Sequence, residues 1–148
     1  MQTVEIRRPR MEDIKELNQF FRIVITETFR REGLVGLIDD IEAEIDSKKN
    51  YLQLDLDSKG KKRYFLIALA GNKIIGTIEY GPASELIQEC TNGKLGNLFE
   101  VGTVFVHPEY QRQGVGNKLL AEMLHTLKAL GIGQDHMIWK IPTNGVYF

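Results

Sequence analysis

The stretch Val104–Lys118, VFVHPEYQRQGVGNK, decides how the chain is read. An apolar run ends at His107–Pro108, a short polar turn follows, and Gly114 and Gly116 open a helical pattern. Gln111, Gly114 and Gly116 stand at Q-x-x-G-x-G spacing. Glycines there let a ligand approach bare backbone. The start of a helix adds unpaired N–H groups and the positive end of the dipole. Together they suit an anion such as a pyrophosphate, with Arg112 and Lys118 as nearby cations. A glycine turn that binds nothing has the same letters, and the residues alone leave both readings open. Other glycine and metal motifs fit worse. A dinucleotide fingerprint needs a third glycine where Leu119 stands, and a Walker loop needs Gly-Lys where the chain has Asn117–Lys118. His107–Pro108–Glu109 lacks the cysteine pair of a zinc deaminase.

Outward from this stretch, Leu98–Val106 (LFEVGTVFV) reads as a strand. A helix is expected from about Gly114 to Leu130, with Leu119, Leu120, Met123, Leu124, Leu127 and Leu130 on one stripe and Gly131 as its C-terminal cap. His136–Ile141 reads as a further strand closed by Pro142. Strand, helix and strand in that order suggest a βαβ crossover. On the N-terminal side, QTVEIR alternates like a half-buried strand. A first helix runs from about Met11 to about Arg31, and a second short one from Ile38 to near Lys48–Asn50. Tyr64–Ala70 and Lys73–Tyr80 form a hairpin through Gly71–Asn72. Residues 81–97 are turn-rich with a helical hint around Glu85–Cys90. The fold class is therefore α+β, or mixed α/β, one domain over residues 1–148 with helices on both faces of one sheet.

Composition narrows the function. The chain has 148 residues, 19 basic and 20 acidic side chains and a net charge of −1. A generic nucleic-acid binder should carry a basic excess, so no nucleic-acid partner is expected. One cysteine, Cys90, excludes an intrachain disulfide and a multi-cysteine metal site. It reads as a half-buried filler, since no base is recognisably paired with it. No metal is expected. No segment approaches the roughly 20 apolar residues of a membrane span, and MQTVEIRRPR does not read as a signal peptide. The expected location is the cytoplasm. Residues 27–46 hold seven acids against Arg30 and Arg31. They form either a solvated helix face or a wall that attracts a cationic substrate. Lys59–Arg63 (KGKKR) is a solvated basic turn.

The segment 104–118 resembles motif A of the GNAT superfamily of N-acetyltransferases: a strand often ending V-x-P, then Q/R-x-x-G-x-G/A, then a helix. Val106–His107–Pro108 and QRQGVG at 111–116 carry the match. The layout of residues 1–141 also fits. The resemblance implies a mostly antiparallel sheet and acetyl coenzyme A as co-substrate. It implies that the pantetheine arm pairs with the backbone of Val104 and Val106 where the strand splays from the 136–141 strand. The pyrophosphate would lie on the loop and helix start: Gln111, Arg112, Gln113, Gly114, Val115, Gly116, Asn117 and Lys118. The acceptor would be a primary amine of a small molecule or protein.

Such an amine has a pKa near 10 and must lose a proton before it attacks, so a base or a proton-conducting water is required. Glu100, six residues before Val106, matches a position that some family members use as base. His107 reads as a loop cap, and His125 and His136 as structural or exposed. Family members continue after the last strand with a tyrosine-bearing helix and two strands, whereas Tyr147 is the last tyrosine here. The C-terminal part is therefore read as shortened. An exposed edge at 136–141 then invites a homodimer. A non-catalytic acyl-CoA-binding or sensing module of the same fold is the alternative.

Overall fold

The computed structural model describes residues 3–34, 36–83 and 98–139. Val4–Arg7 forms β1, and a 3-10 turn at Met11–Asp13 leads past Pro9 into α1, Ile14–Arg31. α2 spans Ile38–Ser58, β2 Tyr64–Ala70 and β3 Lys73–Pro82. β4 is Phe99–Val106, α3 is Val115–Ala129 and β5 is Met137–Trp139. The strands lie in the order β1-β2-β3-β4-β5. Neighbours are antiparallel except β4 and β5, which run parallel as a βαβ crossover requires. The architecture is α+β, as the element order suggested.

Period-two alternation sorts the strand side chains between two cores. On one face Phe65, Ile67, Leu69 and Ile74 meet Leu17, Phe20 and Phe21 of α1 and Ile41, Ile45 and Leu52 of α2. On the other, Leu66, Ile75, Ile78, Val101 and Val104 meet Val115, Leu119, Met123 and Leu127 of α3. The α3 stripe is narrower than its leucines suggest. Leu120 and Leu124 are half-buried, and Leu130 is 58% exposed beyond the helix end.

The boundaries of α2, β3 and β5 depart from the sequence reading. α2 continues to Ser58 instead of ending near Lys48–Asn50. Leu52 extends the Ile41–Ile45 stripe, and Asp55 is fully buried one turn later. The polar Lys48–Asn50 interrupts the pattern by eye, but these residues, half-buried to exposed, lie off the buried stripe. β3 runs on to Pro82 because Gly81 and Pro82 stay in register with Glu100 and Phe99. His136 belongs to a 3-10 turn, Gln134–His136, and β5 begins at Met137. The helical hint at Glu85–Cys90, Cys90 itself, and the chain beyond Trp139 lie outside the described residues.

Asp55 locks three elements together. Its carboxylate accepts from Arg8 at 2.5 and 2.7 Å and from the Phe65 N–H at 2.6 Å. Arg8 also donates to the Phe65 carbonyl at 2.6 Å and lies over the Tyr64 ring. The chain after β1, the end of α2 and the start of β2 therefore meet at one buried charge.

Candidate active site

β4 delivers the chain to the glycine loop, and several hydrogen bonds fix where it arrives. The His107 N–H donates to the Ile75 carbonyl at 2.8 Å, tying the strand end to β3. His107 Nδ1 accepts from the Glu109 N–H at 3.2 Å and caps a 3-10 turn, Pro108–Tyr110, as a loop-capping histidine should. Its ring stands edge-on to Tyr110. Burial, and then the charge of Lys73, push its pKa below the ordinary histidine value, so it is neutral at pH 7. With Nδ1 accepting, the ring proton sits on Nε2.

The side chains of Gln111 and Gln113 work inside the loop. Gln111 donates to the Val106 carbonyl at 3.2 Å and Gln113 to the Glu109 carbonyl at 3.3 Å. What these two residues offer a ligand is backbone. Arg112 and Gly114 both have left-handed backbone, at φ 63° and 83°. Gly114 is the N-cap of α3, and a Cβ built there would meet nothing within 4 Å. Room therefore exists in front of the helix start. The Lys118 N–H donates to the Gly114 carbonyl at 3.1 Å and closes the first turn. The amides of Val115, Gly116 and Asn117 precede it, at positions with no carbonyl one turn back. Lys118 itself contributes the charge of an exposed side chain. Bare amides and a helix dipole are the kind of feature that can hold a diphosphate, with Arg112 and Lys118 near in the chain.

Along β4, Val104 and Val106 turn their side chains into the α3 core. Gly76 pairs with Val106 on the β3 side. On the other side, β5 pairs with Phe99, Glu100 and Val101 alone among the described residues. The backbone from Gly102 to Val106 therefore has no described strand partner on that edge. β4 also carries a bulge: Thr103 and Val104 together oppose Ile78, and Thr103 has φ 50°.

Glu100 lies on the face toward α1 and α2, opposite Gly81, and is 4% exposed. Sequence reasoning singled it out but missed its neighbour. Glu79 of β3 is 3% exposed on the same face. It meets Arg63 at 3.1 Å and accepts from the Thr103 hydroxyl at 3.2 Å. Burial pushes its carboxyl above the usual range, against the pull of Arg63. A charged residue at an inward position of an apolar strand (IIGTIEYG) was the available signal.

The acidic 27–46 region is partly neutralised. Glu27 pairs with Arg30 and, at 3.2 Å, with Arg31; Glu42 pairs with Arg22 at 2.6 Å and Glu44 with Lys48 at 3.1 Å. Arg22, outside that segment, reduces its field further. An open cavity of about 580 Å³ lies at the other end of α1, against Glu16, Phe20, Ile74 and His107. Among the described residues no group of three or more His, Cys, Asp or Glu side chains is placed to hold a metal.

The geometry agrees with comparisons to known proteins. A model of the acetyltransferase (GNAT) family matches residues 26–144. No curated protein matches the chain significantly. Among solved structures, PaiA N-acetyltransferase from Thermoplasma acidophilum, in complex with coenzyme A, has a TM-score of 0.65 and 24% identity, covering 88% of this chain and 75% of that one. A predicted acetyltransferase from Clostridium acetobutylicum with acetyl-CoA gives 0.64 and 16%, covering 97% and 84%. A GNAT family acetyltransferase from Brucella melitensis in complex with acetyl-CoA gives 0.62 and 20%, covering 98% and 79%. With a family match over most of its length and the fold and glycine loop to go with it, the chain belongs to the GNAT family of acetyltransferases.

Proposed function

We propose that the protein transfers an acetyl group from acetyl coenzyme A to a primary amine. The observation that carries this is the α3 N-terminus at the end of β4. First-turn amides without intrahelical acceptors face open space at Gly114, a short turn after β4 ends at Val106. Val115, Gly116 and Asn117 would bind the diphosphate, assisted by Arg112 and Lys118. The backbone of Val104 and Val106 would hold the pantetheine arm as an added strand. The thioester would then lie toward the bulge at Thr103, near Glu100. There the amine nitrogen bonds to the carbonyl carbon as the C–S bond breaks. The amine's proton passes to Glu100, directly or through a water, and the departing thiolate takes up a proton.

Thiol release with a panel of amines tests this directly. Glu100→Gln is expected to lower turnover about 10²- to 10⁴-fold, the usual worth of a general base, while coenzyme A affinity stays nearly constant. Unchanged turnover removes Glu100 from the chemistry. Coenzyme A binding without turnover across the panel points to a binding module instead. A cationic acceptor, such as a polyamine or lysine side chain, is favoured mildly by the acids of α1 and α2 left outside local ion pairs.

The reading also includes a cytoplasmic location and a homodimer. No described helix is long and apolar enough to cross a membrane. β5 is the last strand of the described sheet, with Trp139 37% exposed. Pairing along this edge is expected to give a dimer mass by light scattering at micromolar concentration; a clean monomer counts against it.

A further inference from the structure

The bulge in β4 puts a β-branched residue where such residues rarely go. Thr103 has φ 50°, and left-handed backbone is a true outlier for threonine, kept only when its surroundings over-determine it. Two hydrogen bonds hold it. The Thr77 hydroxyl donates to the Thr103 carbonyl at 2.8 Å, and the Thr103 hydroxyl donates to Glu79 Oε1 at 3.2 Å.

Glu79 is fixed in turn. Arg63 Nη1 donates to its other oxygen at 3.1 Å, and the Arg63 guanidinium lies over the Tyr51 ring at 4.1 Å. Arg63 reaches that place across Gly81, where an added Cβ would sit 2.4 Å from Arg63 Cδ. Burying Glu79 is costly, and in an ordinary strand an apolar side chain would serve better. Strain and buried charge therefore coincide at the β4 bulge.

We propose that Glu79 is a positioning residue for acetyl transfer: held by Arg63, it clamps the Thr103 hydroxyl and so keeps the β4 bulge in the conformation that receives the acyl end of the donor. Cross-strand pairing puts Glu79 opposite Gly102 and Glu100 opposite Gly81, so both carboxylates occupy diagonal positions on one face. The clamp thus sets the strand segment that carries Glu100. The inference rests on the reading that the donor lies along β4, and it adds the device that shapes that strand.

The test uses Thr103→Val, which keeps the shape and removes the hydroxyl, and Thr103→Ser, which keeps the hydroxyl. Each is titrated by calorimetry with coenzyme A and with acetyl coenzyme A, and assayed for thiol release with an amine that the wild type acetylates. Thr103→Val is expected to lose about tenfold in acetyl coenzyme A affinity, the scale of one hydrogen-bonded arrangement. Its kcat should fall by a similar factor, while coenzyme A affinity changes less than about twofold. Thr103→Ser is expected to restore both. Should Thr103→Val fail to fold, Thr103→Ala, which also removes the hydroxyl that donates to Glu79, carries the test with the same expected losses.

Equal affinities and turnover in Thr103→Val and wild type overturn the inference alone. So does a parallel loss for coenzyme A and acetyl coenzyme A, which marks a general structural role. A wild type that binds neither donor overturns the functional reading and this inference together, and the wild-type titration identifies that case at once.

Discussion

Gly114→Glu is expected to abolish measurable coenzyme A binding while leaving the fold intact. The residue is the N-cap of α3 at φ 83°, and a side chain there projects into open space and not into a neighbour. Any L-residue pays for the left-handed backbone, at roughly 1–2 kcal/mol. Gly114→Ala pays that cost alone and is the control. The glutamate adds a negative charge where the diphosphate must sit. At about 5 Å and an effective dielectric of about 20, each like-charge pair costs about 3 kcal/mol. Affinity should therefore fall by at least about 100-fold relative to Gly114→Ala, with equal melting temperatures for the two variants. Calorimetry with coenzyme A and a thermal melt decide it. Matched affinities for the alanine and glutamate variants would place the diphosphate elsewhere and remove the basis of the proposed function.

The second large effect is on stability. Asp55→Ala removes a fully buried carboxylate and strands two kinds of partner: the Arg8 guanidinium and the buried Phe65 N–H. Breaking one side of such a pair costs about 3–5 kcal/mol, because the remaining charge and donor stay desolvated. Arg8 is one-third exposed and recovers some hydration, which places the loss toward the lower figure. A melting temperature lowered by roughly 10 °C follows for a domain of this size. Asp55→Asn keeps an acceptor for the Phe65 N–H and should lose less. Urea unfolding measures both, and a loss below about 1 kcal/mol for Asp55→Ala would show that the junction is replaceable.

Asp55 also marks where sequence reading stops. Its neighbours in the chain, LQLDLDS, follow the polar Lys48–Asn50 stretch near which the sequence reading ended the helix. Nothing local says that Arg8, 47 positions earlier, lies across from it. The same holds for Glu79. Its burial is legible as an acid within an apolar strand, but its partners Arg63 and Thr103 come from β2's approach and from β4, 16 and 24 positions away. Ionic partners are chosen by the packing of elements, not by neighbours in the chain.

What the amino-acid order determined unaided is local in origin. Alternation in VEIR and the runs YFLIALA and KIIGTIEY on either side of Gly71–Asn72 set strands, and the spacing of Leu119, Met123 and Leu127 set a helix. The glycine pair after Gln111 marked the helix start as a place where backbone stays bare. These follow from short-range sterics and from periodicities of 2 and 3.6 residues, which a single segment expresses by itself. The tertiary structure alone decided that Gln111 and Gln113 serve the loop from within, and that Thr103 takes a left-handed bulge beside Glu79. Each of these depends on which groups meet across the sheet, and that is settled only when separate elements compete to bury the same apolar surface and satisfy the same buried donors.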